Sequence, residues 1–194
     1  MDKRIIITIG RQYGSGGHEI GEKIAKNLGI NFYDKNLIEL TAARSGLNPN
    51  VINSSDERAP SIFSSTYSPT ISDQLFAAQR ELIKTLTETE SFVIVGRCAN
   101  AIIREYAPSL DVFLFAPMDL RIKRCMDLYL IETEEKARHE IARIDRIRKN
   151  YYQYYTDFTW GSMDGHDLIL DTSILGIDGT ADFLTEFAKK VFTE

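Results

Sequence analysis

Five short, largely apolar runs recur along the chain, the first of them rich in β-branched residues: "RIIITI" from Arg4, "INFY" from Ile30, "SFVIVG" from Ser91, "LDVFLF" from Leu110 and "HDLILD" from His166. Runs without polar alternation suit strands buried on both faces. Segments with helical spacing lie between them, which predicts an α/β fold with a mostly parallel sheet. Ile20, Ile24 and Leu28, with Ala25, form one apolar stripe, so a helix is expected from His18 to Leu28, stopped by Gly29. Further helices are expected in "KNLIELTAARSG", from Ser72 to Thr89, from Asn100 to Tyr106 and after Pro117. The stretch "TEEKARHEIARIDRIRKNYYQYY" and the segment from Ala181 to Phe192 complete the set. Residues 48–73 are rich in Ser, Thr and Pro and read as an exposed connection or flap. The first strand is expected to end at Gly10.

A chain of 194 residues suits one domain and can bury a sizeable core. The net charge of −5 gives no reason to expect nucleic acid as a partner. Two cysteines, Cys98 and Cys125, make neither a disulfide framework nor a four-ligand zinc site. No run approaches a membrane span, and the first residues do not form a secretory leader, so a cytoplasmic location is expected.

The stretch "GRQYGSGGHE" places four glycines in eight residues, between the first strand and the first helix. Glycines let backbone N–H groups converge on an anion, and the helix N-terminus adds partial positive charge. The spacing departs from the dinucleotide fingerprint, because Glu19 stands at the third glycine's place. It also departs from the strict phosphate-loop template. Gly17 holds the lysine place, His18 the hydroxyl place and Arg11 the first glycine's place. The loop is expected to bind phosphate, and His18 at the helix start is open between touching phosphate and facing solvent. Arg11 is expected to supply the charge that the missing lysine would bring, with His18 as its rival and a carboxylate-paired Arg11 as the plain alternative.

The order of "GRQYGSGG", "FYDK", "QRELI", "VIVGRCAN", "RIKR" and "RIDRIRKNYY" resembles the cytidylate kinase-like family over nearly the whole chain. The resemblance implies a P-loop kinase fold, with five parallel strands, helices on both faces and a helical, arginine-bearing lid over residues 131–160. It implies a kinase that uses ATP and Mg²⁺ on a nucleoside monophosphate of the cytidylate type, or on a similar small phosphorylated acceptor. Gly14, Ser15, Gly16 and Gly17, with His18, would hold the ATP phosphates, Asp34 and Arg97 would lie at the acceptor, and Arg143, Asp145, Arg146 and Arg148 on the lid. The catalytic charges would then be Arg11, Arg97, Arg143 and Arg148. The magnesium ligands are left unassigned. The "GR" turn is flanked by Val95 and Cys98, where cytidylate kinases carry aspartates.

Phosphoryl transfer needs positioning and positive charge more than covalent help, and arginine meets phosphate oxygens two at a time. A nucleotide-binding regulatory module without turnover is the alternative; a dinucleotide oxidoreductase fits the glycine spacing less well. Arg121 and Arg124 are open between a solvated face and a site. Tyr151, Tyr152, Tyr154 and Tyr155 are open between packing a helix end and stacking on a base. Asp167 and Asp171 read as surface or capping residues, and Cys98 as a packing residue.

Overall fold

The computed structural model describes residues 4–34 and 70–193. The elements, in chain order, begin with β1 (Ile6–Arg11), α1 (Gly17–Leu28), β2 (Asn31–Tyr33) and α2 (Ile71–Thr89). Then come β3 (Phe92–Val95), α3 (Ala99–Ile103), β4 (Leu110–Phe115), α4 (Met118–Tyr129) and α5 (Glu134–Tyr155). A short 3₁₀ turn (Met163–Gly165), β5 (Leu168–Asp171) and α6 (Thr172–Thr193) close the chain. The expected helix in "KNLIELTAARSG" and most of the 48–73 flap lie outside the described residues.

The strands form one sheet in the order β2-β3-β1-β4-β5, and all four pairings are parallel. The sheet's period of two sorts the apolar runs onto its faces. Ile7, Ile9, Val93, Val95, Val112 and Leu114 face α1 and the later turns of α6. Ile6, Phe92 and Ile94 face α2 and α3. Full burial of each such side chain contributes about 1.5–3 kcal/mol. A third, smaller cluster joins α4 to α5 through Ile122, Cys125, Ala137 and Ile141, with Tyr13 packed against it. Among the described residues, no helix is long and apolar enough to cross a membrane.

Several boundaries differ from expectation. β1 does not stop at Gly10; Gly10 and Arg11 pair with Phe113 and Leu114 of β4. A Cβ on Gly10 would lie 2.8 Å from the Phe113 ring, so this glycine serves close approach, not termination. Residues 70–73 are not flap. Thr70 and Asp73 form a capping box that starts α2. α3 ends at Ile103, short of Tyr106. The last helix begins at Thr172, not Ala181, and is interrupted at Gly176, whose φ is 67°.

Candidate functional site

The glycine loop leaves β1 at Arg11 and enters α1 at Gly17. Gly14 and Gly16 adopt φ values of 80° and 84°, which glycine takes at little cost. The loop is also crowded from outside. A Cβ on Gly14 would meet the Arg121 carbonyl at 3.0 Å, and one on Gly16 would meet Ile177 Cδ1 at 2.1 Å. Gly16 caps α1 with no side-chain hydrogen bond, so no N-cap side chain takes up the first-turn N–H groups of α1. The Ser15 hydroxyl donates to the Gln12 carbonyl at 2.9 Å, and the Ser15 carbonyl accepts from the Thr172 hydroxyl at 2.8 Å.

The missing lysine has a steric counterpart. A Cβ on Gly17 would lie 2.7 Å from Cβ and 3.1 Å from Cγ of Arg11. Arg11 therefore fills the space that a side chain at position 17 would need. Its guanidinium lies 3.8 Å from a carboxylate oxygen of Asp34, so the paired alternative describes part of its surroundings. His18 Nδ1 lies 2.5 Å from the other Asp34 oxygen. Asp34 is thus held between Arg11 and His18.

Arg11, Arg97 and Arg148 line one small cavity of about 30 Å³ beside the C-terminal ends of β1 and β3. Ligands of open α/β sheets bind at such edges. Arg97 reaches it from an unusual backbone. Gly96, Arg97 and Cys98 have φ values of 80°, 61° and 54° in succession. Left-handed non-glycine residues cost on the order of 1–3 kcal/mol each and cluster at functional sites. The turn leaves Arg97 only 3% exposed. Cys98 is buried beside Tyr151 and Tyr152, as a packing residue.

α5 divides the expected lid residues. Arg143 is exposed and pairs with Glu140 at 2.7 Å, and Arg146 is exposed on the same outer side. Neither is among the residues that line the cavity. Asp145 and Arg148 face inward. Arg148 Nη1 donates to the Arg11 carbonyl at 3.3 Å, and its guanidinium lies 5.6 Å from the Tyr13 ring centre. Asp145 accepts from the Tyr13 N–H at 2.7 Å and pairs with Arg121 at 2.5 Å. Burial pushes the Asp145 carboxyl above the ordinary range, against the pull of that N–H and of nearby arginines. Arg121 is buried, so the solvated-face reading fails for it; Arg124 pairs with Glu19 at 2.5 Å.

The cavity has further walls that sequence reasoning missed: Asn100, Trp160 and His166. Asn100 donates to the Tyr152 hydroxyl at 2.7 Å and to the Gly165 carbonyl at 2.8 Å. Burial lowers the His166 pKa, and its Nδ1 lies 2.9 Å from the Ser162 carbonyl. The neutral ring with Nδ1 protonated satisfies that contact. Tyr151 and Tyr152 are buried and also line the cavity, whereas Tyr154 is exposed. Asp167 and Asp171 accept backbone N–H groups of Asp111 and Ser173. Among the described residues, no cluster of three or more His, Cys, Asp or Glu side chains could hold a metal ion.

Residues 6–174 match the cytidylate kinase-like family. A protein named cytidylate kinase from Staphylothermus marinus is 22% identical over 191 residues, 98% of this chain and 99% of that one. A solved structure of an uncharacterized protein from Eubacterium ventriosum superposes with a TM-score of 0.76 at 26% identity, covering 96% of this chain and 99% of that one. Shikimate kinase from Bacteroides thetaiotaomicron shares the fold at a TM-score of 0.57 and 14% identity, with 95% and 98% covered. The architecture is the P-loop kinase fold.

Proposed function

The chain belongs to the cytidylate kinase-like family, and from that premise we propose that it transfers a phosphoryl group from ATP to a small phosphorylated acceptor. A nucleoside monophosphate of the cytidylate type is the first candidate. One observation carries this reading: three arginines converge on one cavity beside a glycine-rich strand-to-helix loop. Like charges gathered in a poorly hydrated space favour an anion between them. Loop N–H groups from Gly14 to His18 would hold the donor's phosphates. Arg11 and Arg148 would balance the charge that builds on the transferring group, and Arg97 would grip the acceptor's phosphate. Asp34 would keep Arg11 and His18 in place at the acceptor side.

The loop would suit a nucleotide's phosphates, since Gly14 and Gly16 take the positive φ values that let successive backbone N–H groups converge on an anion. A magnesium ion, when bound with the nucleotide, would neutralise charge on the donor's phosphates. The Ser15 hydroxyl keeps its lone pairs while donating to Gln12, and is the loop side chain best suited to such an ion. α5, within residues 131–160, would form the lid of one catalytic domain.

The test is ADP release from ATP and Mg²⁺ across a panel of monophosphates. Turnover is expected with at least one of them. Losing the charged contact in Arg97→Ala should raise the acceptor KM on the order of tenfold to a hundredfold. Arg11→Ala should slow turnover more than His18→Ala. Tight ATP binding with no turnover on any acceptor would overturn the enzyme reading. It would favour a nucleotide-binding regulatory module, which the lysine-free loop also suits.

A further inference from the structure

Tyr13 sits in the glycine loop just before Gly14, and both of its backbone polar groups are taken by side chains from elsewhere. Its N–H donates to Oδ1 of Asp145 on α5 at 2.7 Å. Its carbonyl accepts from Nε of Arg121 on α4 at 2.9 Å. Arg121 Nη2 closes the ring by donating to Oδ2 of the same Asp145 at 2.5 Å. Three elements therefore meet on one residue of the loop. The Tyr13 ring adds a stack on Tyr129, with centroids 5.2 Å apart. Behind Gly14, the α4 backbone and the Cys125 sulfur stand 3.0 Å and 3.1 Å from where a Cβ would be, so the loop rests on α4.

We propose that Arg121 and Asp145 are positioning residues that clamp the Tyr13 backbone and so aim the N–H groups after it at the donor's phosphates. The clamp rests on the reading that this loop holds donor phosphate. A phosphate loop selects its ligand by the direction of backbone dipoles, and glycines alone leave that direction loose. With Tyr13 N–H turned to Asp145, the peptides from Gly14 onward are fixed at one end. α1 fixes them at the other. Both ties are charge-assisted and shielded from water, since Arg121 is only 3% exposed. The same two contacts make the seating of α5 felt in the donor site. A lid movement that withdraws Asp145 releases the Tyr13 N–H and leaves Arg121 without its carboxylate.

Two conservative variants test the clamp in the full chain. Asp145→Asn keeps an oxygen for the Tyr13 N–H but turns an amide N–H toward Arg121. Arg121→Lys keeps the charge, yet one ammonium cannot reproduce the fork that serves Tyr13 and Asp145 together. The readouts are the ATP dissociation constant by equilibrium titration, the separate KM values for ATP and for a monophosphate acceptor, and the thermal midpoint. Each variant should weaken ATP binding and raise the ATP KM on the order of tenfold, with the acceptor KM changed less than about twofold. The double variant should lose less than the sum of the two singles, because both break one ring of contacts. A merely structural role would lower the midpoint and the yield of active protein but leave both KM values unchanged, and that result overturns the clamp. So does ATP binding that neither variant alters. A parent protein that does not bind ATP overturns the reading of the loop and the clamp with it. A parent that binds ATP without turnover overturns only the enzyme reading, and the dissociation constants then decide the clamp.

Discussion

At Arg97 the backbone is left-handed between two neighbours that are left-handed as well. Glycine would take this conformation without strain, so the guanidinium is kept at a cost in stability. Arg97→Gly should be more stable than Arg97→Ala by about 1 kcal/mol, because only the glycine relieves the left-handed strain. Both should share the same loss of acceptor affinity. Paired thermal unfolding and acceptor titrations check this; equal midpoints would mean the turn carries no strain. The place of Arg97 beside the cavity was legible in the sequence, because "GR" follows directly on a strand. Arg121 was not. Its partners Tyr13 and Asp145 are 108 and 24 residues away, and no spacing rule connects them. Asn100 and His166 stayed hidden for the same reason: each is a single polar residue whose meaning comes from a distant wall. Arg143 shows a different failure. Five residues separate it from Arg148, which is about 140° around a helix, so the two cannot face one cavity. Asp145 and Arg148, three apart, share the inward side of α5, Arg148 at the cavity and Asp145 at Tyr13 and Arg121.

Among the elements, α2 shows how local chemistry fixes a boundary that composition blurs. Thr70 lies in a Ser-, Thr- and Pro-rich stretch, yet its hydroxyl accepts from the Asp73 N–H while Asp73 accepts from the Thr70 N–H. Thr70→Ala should cost about 1 kcal/mol, read from the shift of a urea transition. The pattern T-x-x-D is a capping signature, and it lay in the sequence, masked by the polar composition around it. β1 is the opposite case, since Gly10 reads as a stop signal and the strand runs through it. What decides is the Phe113 ring on the neighbouring strand, which no local rule supplies. α5 joins both lessons. Its start at Glu134 follows Thr133, whose hydroxyl accepts from the Lys136 N–H, and its periodicity is plain. Its division into an outer side with Arg143 and an inner side with Asp145 and Arg148 depends on where α4 lies.

For the whole molecule, alternation of strand and helix was enough to give a parallel α/β sheet, because continuous apolar runs leave no solvated face. The strand order needed the structure. Acid should act on this fold through His166. Burial holds its pKa below the ordinary 6.5, with the carboxylates of Asp111 and Asp167 pulling upward and Arg104 downward. The unfolded chain's histidine takes a proton as pH falls through 6.5, while the folded one stays neutral. Stability from this group is therefore full above that pH and declines below it. Asp111 acts in the reverse sense at lower pH, since burial raises its carboxyl and the folded state takes that proton first. Thermal midpoints should thus fall between neutral and mildly acidic pH, and fall less in His166→Gln. An equal drop in both proteins would remove His166 as the cause. Arg11 and Gly17, finally, share one volume, and this has a consequence for descent. A lysine placed at position 17 collides with Arg11, and an arginine placed beside an existing lysine meets the same collision. The two ways of charging this loop are separate peaks in sequence space. Because the closest approach is between Cβ atoms, any side chain at position 17 needs glycine at position 11, so a lineage passes between them only by changing both positions together or through an ancestor with glycine at both.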